Sequence, residues 1–93
     1  MTRVVDNPGA RRFEAYVDEA LAGFAEYELH PDRIVFIHTE VDPAFEGRGV
    51  GSQLAAGALD AVRERGLRVI ARCPFIAGYL SRHQEYADLL RSH

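Results

Sequence analysis

The sequence contains no lysine, a single cysteine and no apolar run approaching the length of a membrane span. Each absence removes a class of function. Without lysine there can be no phosphate loop ending in Gly-Lys-Ser/Thr. One cysteine, Cys73, cannot build an intramolecular disulfide framework, and it fits a reducing compartment. A helix needs roughly 20 apolar residues to cross a bilayer, so no membrane is expected as a partner. Met1–Val5 carries neither an apolar signal core nor a transit-peptide pattern, and the expected location is cytoplasmic. An excess of basic charge is also missing: the net charge of −3 gives no electrostatic reason to expect nucleic acid. No His, Cys, Asp or Glu set has metal-ligand spacing, so no metal is expected.

What is present is a short globular chain. Its 93 residues suffice for one domain with a modest core, spanning 1–93. Apolar residues at 47% and charged residues at 27% are ordinary for a soluble globular protein, and disorder is not expected. The oligomeric state is not encoded legibly, and a monomer is the default reading.

Four turn signals divide the first half: Asn7-Pro8-Gly9, Asp18-Glu19, His30-Pro31-Asp32 and Asp42-Pro43. Between them polarity alternates with period two. Phe13, Ala15 and Val17 oppose Glu14, Tyr16 and Asp18; Gly23, Ala25, Tyr27 and Leu29 oppose Phe24, Glu26 and Glu28. These segments read as half-buried antiparallel strands. Arg33–Val41 holds the continuous run Ile-Val-Phe-Ile and predicts a strand covered on both faces, with His38 on the face of Ile34, Phe36 and Glu40. Val50, Leu54, Ala58, Leu59 and Val62 recur at helical spacing, predicting a helix near Gly49 to Arg65 stopped by Gly66. The small patch Ala55-Ala56-Gly57-Ala58 would let that helix approach a sheet closely. Leu67–Arg72 reads as a further strand. A last helix opens at Pro74, with Phe75, Tyr79, Arg82 or His83, Tyr86 and Leu90 as its inner stripe. The order is β-β-β-β-α-β-α, an α/β (α+β) fold with a mixed sheet and a central parallel strand pair joined by a helix.

The string Val41-Asp42-Pro43-Ala44-Phe45-Glu46-Gly47-Arg48-Gly49-Val50-Gly51-Ser52 leaves a buried strand and enters a helix through glycines. A helix start has unpaired N–H groups and the positive end of the macrodipole, and glycines let a phosphate come near. A dinucleotide fingerprint would need Gly three residues after Gly51, where Leu54 stands. A glycine-rich turn that merely starts a helix tightly against a sheet is the plain alternative.

Glu46-Gly47-Arg48-Gly49-Val50-Gly51 after Val41-x-Pro43 resembles the coenzyme A motif of the GNAT superfamily of N-acetyltransferases, with Glu46 where glutamine or arginine is usual. His38-Thr39-Glu40-Val41, Cys73-Pro74-Phe75, Tyr79 and His83-x-Glu85-Tyr86 extend the likeness to its short, stand-alone YjdJ-type branch, with Gln84 where a proline is expected. The match runs from about Arg12 to Leu90. The resemblance implies acetyl-coenzyme A as co-substrate and an amine acceptor, a protein or peptide given the open groove of that branch. It implies pyrophosphate binding by the backbone of Arg48, Gly49, Val50, Gly51 and Ser52, with the pantetheine amides beside Thr39 and Val41. The absence of lysine then excludes acetylation of an internal lysine.

Three residues are candidates for the chemistry. Cys73, ahead of Pro74 and near a helix N-cap, could accept the acetyl group or orient the thioester; otherwise it is a small buried hydrophobe. His38 could take a proton from the attacking group, or be a half-buried histidine bonded to a carbonyl. Glu40 is a second base, or a solvated charge. Tyr79 could protonate the departing coenzyme thiolate, or simply belong to the core. A coenzyme-binding module without efficient catalysis is the competing functional reading.

Overall fold

The computed structural model describes residues 2–90. β1 (Thr2–Asn7), β2 (Arg12–Val17), β3 (Ala20–Leu29) and β4 (Arg33–Val41) run antiparallel in chain order, and β5 (Arg68–Ala71) joins β4 in parallel. α1 (Val50–Glu64) links the parallel pair, and α2 (Pro74–Arg82) follows β5. The expected order of elements is therefore the observed one. All four turn signals fall between strands or at the end of β4. At the tightest, Val17 pairs directly with Ala20, so the hairpin loop is Asp18-Glu19 alone, both at positive φ as such two-residue turns require.

α1 begins and ends where capping chemistry predicts. Gly49 is its N-cap at φ 75°, and Gly66 at φ 69° follows Arg65 at the other end. Its apolar stripe, Val50, Leu54, Ala55, Ala58, Leu59 and Val62, is buried against the sheet. The approach is close enough to need glycine: a Cβ on Gly57 would stand 2.7 Å from Cβ of Val4.

Cross-strand partners share a face, so the register sorts the sheet into two surfaces. Val4, Ala15, Phe13, Ala25, Thr39 and Val41 face α1. Phe36 and Ile34 join them, and Phe13 packs on both Tyr27 and Phe36 at ring separations of 5.3 and 6.2 Å. The helices and the 3-10 segment Gln84–Leu90 all add side chains to this core. Tyr86 donates to Asp60 of α1 at 2.7 Å, and Arg63 bonds Asp88 twice, at 2.9 Å each. The opposite face carries Arg12, Glu14, Tyr16, Phe24, Glu26, His38 and Glu40, and among the described residues no helix covers it.

Several local expectations are corrected. β4 is not covered on both faces along its length: Ile34, Val35 and Phe36 are buried, but Ile37, His38 and Glu40 are exposed. The register steps from Glu26↔His38 to Tyr27↔Phe36, so Ile37 is an extra residue, a bulge that inverts the alternation. His38 and Glu40 consequently lie on the face away from Ile34 and Phe36. Leu29 is exposed at the end of its strand. The last helix stops at Arg82, and the chain continues as the 3-10 segment. Its inner residues are Ile76, Tyr79 and Leu80, then Tyr86 and Leu89, while Phe75 and Leu90 are exposed.

Candidate active site

β4 and β5 pair only as far as Phe36↔Ala71. There the Phe36 carbonyl accepts from both Arg72 N–H (2.9 Å) and Cys73 N–H (3.1 Å), and the two chains part. The bulge at Ile37 turns β4 one way as β5 turns into α2 the other. The result is a slot between Ile37–Val41 and the start of α2. Its two walls are tied where the Cys73 thiol donates to Thr39 Oγ1 at 3.2 Å.

At the mouth of that slot, Pro43–Phe45 makes a single 3-10 turn, capped by the Asp42 carboxylate accepting Ala44 N–H at 2.9 Å. Gly47 and Gly49 follow at φ 82° and 75°, a left-handed backbone that side chains rarely adopt. The first bond into the helix runs from Gln53 N–H to the Gly49 carbonyl at 3.0 Å. The N–H groups of Val50, Gly51 and Ser52 are thus the bare donors of the first turn, and Gly49 offers no side chain to cap them. No acidic residue stands in that turn. Val41, Phe45, Gly47, Gly49, Gly51, Ser52 and Phe75 enclose an open depression of about 230 Å³ over these donors.

This arrangement fits a diphosphate. A Cβ on Gly47 or Gly49 would project into open space, so nothing of the protein fills the cradle there. Gly51 serves a second purpose: its Cβ would stand 2.7 Å from the Phe75 ring, so only glycine lets that ring close the wall. Glu46, the departure from the usual motif, is exposed but also lines the depression, so its carboxylate must turn to solvent for a diphosphate to settle there. The Arg48 guanidinium lies 5.7 Å from the centre of the Phe45 ring, keeping a cation at the rim.

The chemical candidates divide between the two walls and the open face. Cys73 is 3% exposed, caps α2 and lies beside Thr39. Tyr79 is buried one helical turn and a half further on, with His83 stacked on it at 3.8 Å and the His83 Nδ1 bonded to the Tyr79 carbonyl at 2.9 Å. Burial, with the charges of Glu85 and Asp60, raises the Tyr79 phenol above its ordinary range, so it stays protonated at neutral pH. His38 and Glu40 form an exposed pair on the open face, Nε2 to Oε1 3.2 Å, with side chains 51% and 60% accessible. The slot therefore brings together Thr39, Val41, Cys73 and the glycine cradle. His38 and Glu40 stand on the far side of β4. The role of Phe75 as a wall went unread in the sequence, because its exposed ring was assigned to the core. Gly51 followed by an aromatic just past Cys73-Pro74 was the available signal.

The sequence of residues 12–89 matches the family model described as GCN5-related N-acetyl-transferase. The chain belongs to this family. Among named relatives, Protein NATD1 of Homo sapiens is 44% identical over 55 residues, 58% of this chain and 49% of that protein. The mouse and chicken proteins match at the same identity. The aligned segment spans about half the length of these curated relatives. Among solved structures, a GCN5-like putative N-acetyltransferase from Staphylococcus aureus superposes with a TM-score of 0.71 at 24% identity, covering 98% of this chain and 92% of that one. A ribosomal-protein-alanine N-acetyltransferase from Brucella melitensis superposes at 0.61 with 20% identity, covering 80% and 59%. Both likenesses establish the N-acetyltransferase fold, with its five-stranded mixed sheet. Among the described residues no side-chain group could hold a metal ion, and no helix is long and apolar enough to cross a membrane.

Proposed function

We propose that this chain transfers the acetyl group of acetyl-coenzyme A to an amine. The supporting observation is the bare first turn of α1 at the mouth of the β4–β5 slot. The diphosphate would rest on the N–H groups of Arg48 through Ser52. The pantetheine arm would run down the slot against the unpaired edge of β4 at Thr39 and Val41. A β4 N–H pointing at the thioester oxygen would stabilise the charge that develops there.

The amine nitrogen then attacks the thioester carbonyl, the C–S bond breaks, and the coenzyme leaves as thiolate. His38 or Glu40 takes the proton that the amine loses, and the Tyr79 hydroxyl supplies one to the thiolate. Direct transfer suits the geometry better than an acetyl-Cys73 intermediate, because that thiol is buried and already donates to Thr39. The acceptor is an amine presented in an open groove, which favours a peptide or protein. The reading of a non-catalytic coenzyme-binding module draws on the exposure of His38 and Glu40, which leaves both proposed bases solvated.

Release of free coenzyme thiol in the presence of candidate amines separates the two. Enzyme and module both bind acetyl-coenzyme A, but only the enzyme shows amine-dependent release. Cys73→Ala should retain at least about a tenth of that rate if transfer is direct, equivalent to a barrier change under about 1.4 kcal/mol. Loss of all turnover with binding intact would restore the covalent route.

A further inference from the structure

A second depression, of about 400 Å³, lies on the face that no helix covers. Leu21, Gly23 and Phe24 of β3 line it with Glu40 and Val41 of β4 and with Asp42 just beyond that strand. Val41 also lines the glycine cradle, so one residue forms the partition between the two hollows. Glu40, in the wall of the hollow, lies between Thr39 and Val41, the residues proposed to border the pantetheine arm, so a ligand held at Glu40 stands across β4 from that arm.

The lining is apolar and acidic, with no basic residue in it. Of its two carboxylates, Asp42 is committed to the turn through Ala44 N–H. Glu40 can reach a ligand: its side chain is 60% accessible, and its ion-pair partner among the described residues is the exposed His38. Phe24 and the exposed Leu21 supply the apolar walls. One cation stands nearby, the Arg12 guanidinium 4.5 Å from the Phe24 ring centre, but Glu14 neutralises it at 2.7 Å. The hollow thus offers negative charge beside an aromatic edge, the pairing that recognises an ammonium on an apolar stem. Its volume, at the lower end for ligand pockets, suits one side-chain-sized group rather than a folded surface.

We infer that this β3–β4 hollow is the acceptor site, and that it selects a protonated amine carried on an apolar stem, with Glu40 holding the ammonium and Leu21 and Phe24 the stem. The inference rests on the acetyltransferase reading for the identity of its ligand as acceptor.

Titration of isotopically labelled protein with phenethylamine, followed by amide NMR, tests it. The expected shifts fall on Leu21–Phe24 and Glu40–Asp42. The neutral analogue 2-phenylethanol should bind at least tenfold more weakly. Glu40→Gln should weaken the amine at least fivefold, and Leu21→Lys, which puts a cation into the hollow, should weaken it as much. Equal binding of amine and alcohol, indifference to both variants, or shifts gathered elsewhere would each overturn the site. A parallel titration with acetyl-coenzyme A keeps the two readings apart. If the coenzyme binds and the amine does not, the pocket assignment fails and the enzyme reading survives. If the amine binds here and the coenzyme does not bind, the cation pocket survives and its role as acceptor site fails.

Discussion

The two faces of one sheet carry different burdens. On the helix side, α1, α2 and the last turn bury Phe13, Ile34, Phe36, Leu54, Leu59 and Ile76 almost completely, and the glycine cradle proposed for the coenzyme lies at the end of that layer. Among the described residues the other side has no covering layer. Its order comes from a polar cluster centred on Glu14, which is 4% exposed and accepts from Arg12 (2.7 Å), Tyr16 (2.8 Å) and Asn7 (3.2 Å). Burial alone would raise that carboxyl; bonds from Tyr16, Arg12 and Asn7 outweigh it and hold the group below its ordinary range. Packing fixes the first face, while hydrogen bonds tie down the second and leave its far end free for recognition. The packed core and the proposed acceptor hollow are thus separated by the thickness of a strand.

Substitutions on each face should expose that division. Phe36→Ala removes a fully buried ring at the centre of the helix-side core and should cost about 3–5 kcal/mol in denaturant unfolding. A loss below about 1 kcal/mol would mean the core is not where the contacts place it. Glu14→Gln breaks a charge-assisted cluster without leaving a hole and should cost about 1–3 kcal/mol. The same group predicts an acid dependence. Its folded pKa lies below that of an ordinary glutamate, so its contribution is present above the ordinary value and disappears as pH falls through the lower folded one. The variant's unfolding free energy should therefore converge on the wild type's in acid, and a constant gap down to pH 2 would contradict the assignment. Gly57→Ala gains helix propensity of about 1 kcal/mol but sets a methyl against Val4. The clash should win, leaving a net loss of about 1 kcal/mol. Stabilisation instead would show that α1 has room to move off the sheet. Ile70→Thr, on the open face of β5, should change stability by less than about 0.5 kcal/mol. A larger loss would reveal that something covers this face.

Element order was legible because each signal was local. Turn dipeptides, the helical repeat from Val50 to Val62, and Gly66 all act within a few residues of themselves. The cradle was legible for the same reason, being a glycine string between a strand and a helix. The bulge at Ile37 was not, since an apolar run reads as continuous strand whether or not one residue is unpaired. Its effect is that the positions facing α1 are even at Ile34 and Phe36, then odd at Thr39 and Val41. That slip moved His38 and Glu40 to the opposite face from the one expected. The stripe of the last helix failed because helical periodicity was extended past Arg82 into a 3-10 segment. Glu14 is a third case. Alternation assigned it to solvent, and only the ladder of Arg12, Glu14 and Tyr16 on one face hinted that it would be enclosed.

The most direct test of the account is a calorimetric titration of acetyl-coenzyme A into the wild-type chain and Gly51→Val, with amide NMR locating the contact. The account predicts saturable binding that moves the amides of Arg48 through Ser52, weakened at least tenfold by the variant while its fold persists. Binding unchanged in Gly51→Val, or saturable shifts that leave those amides untouched, would contradict it.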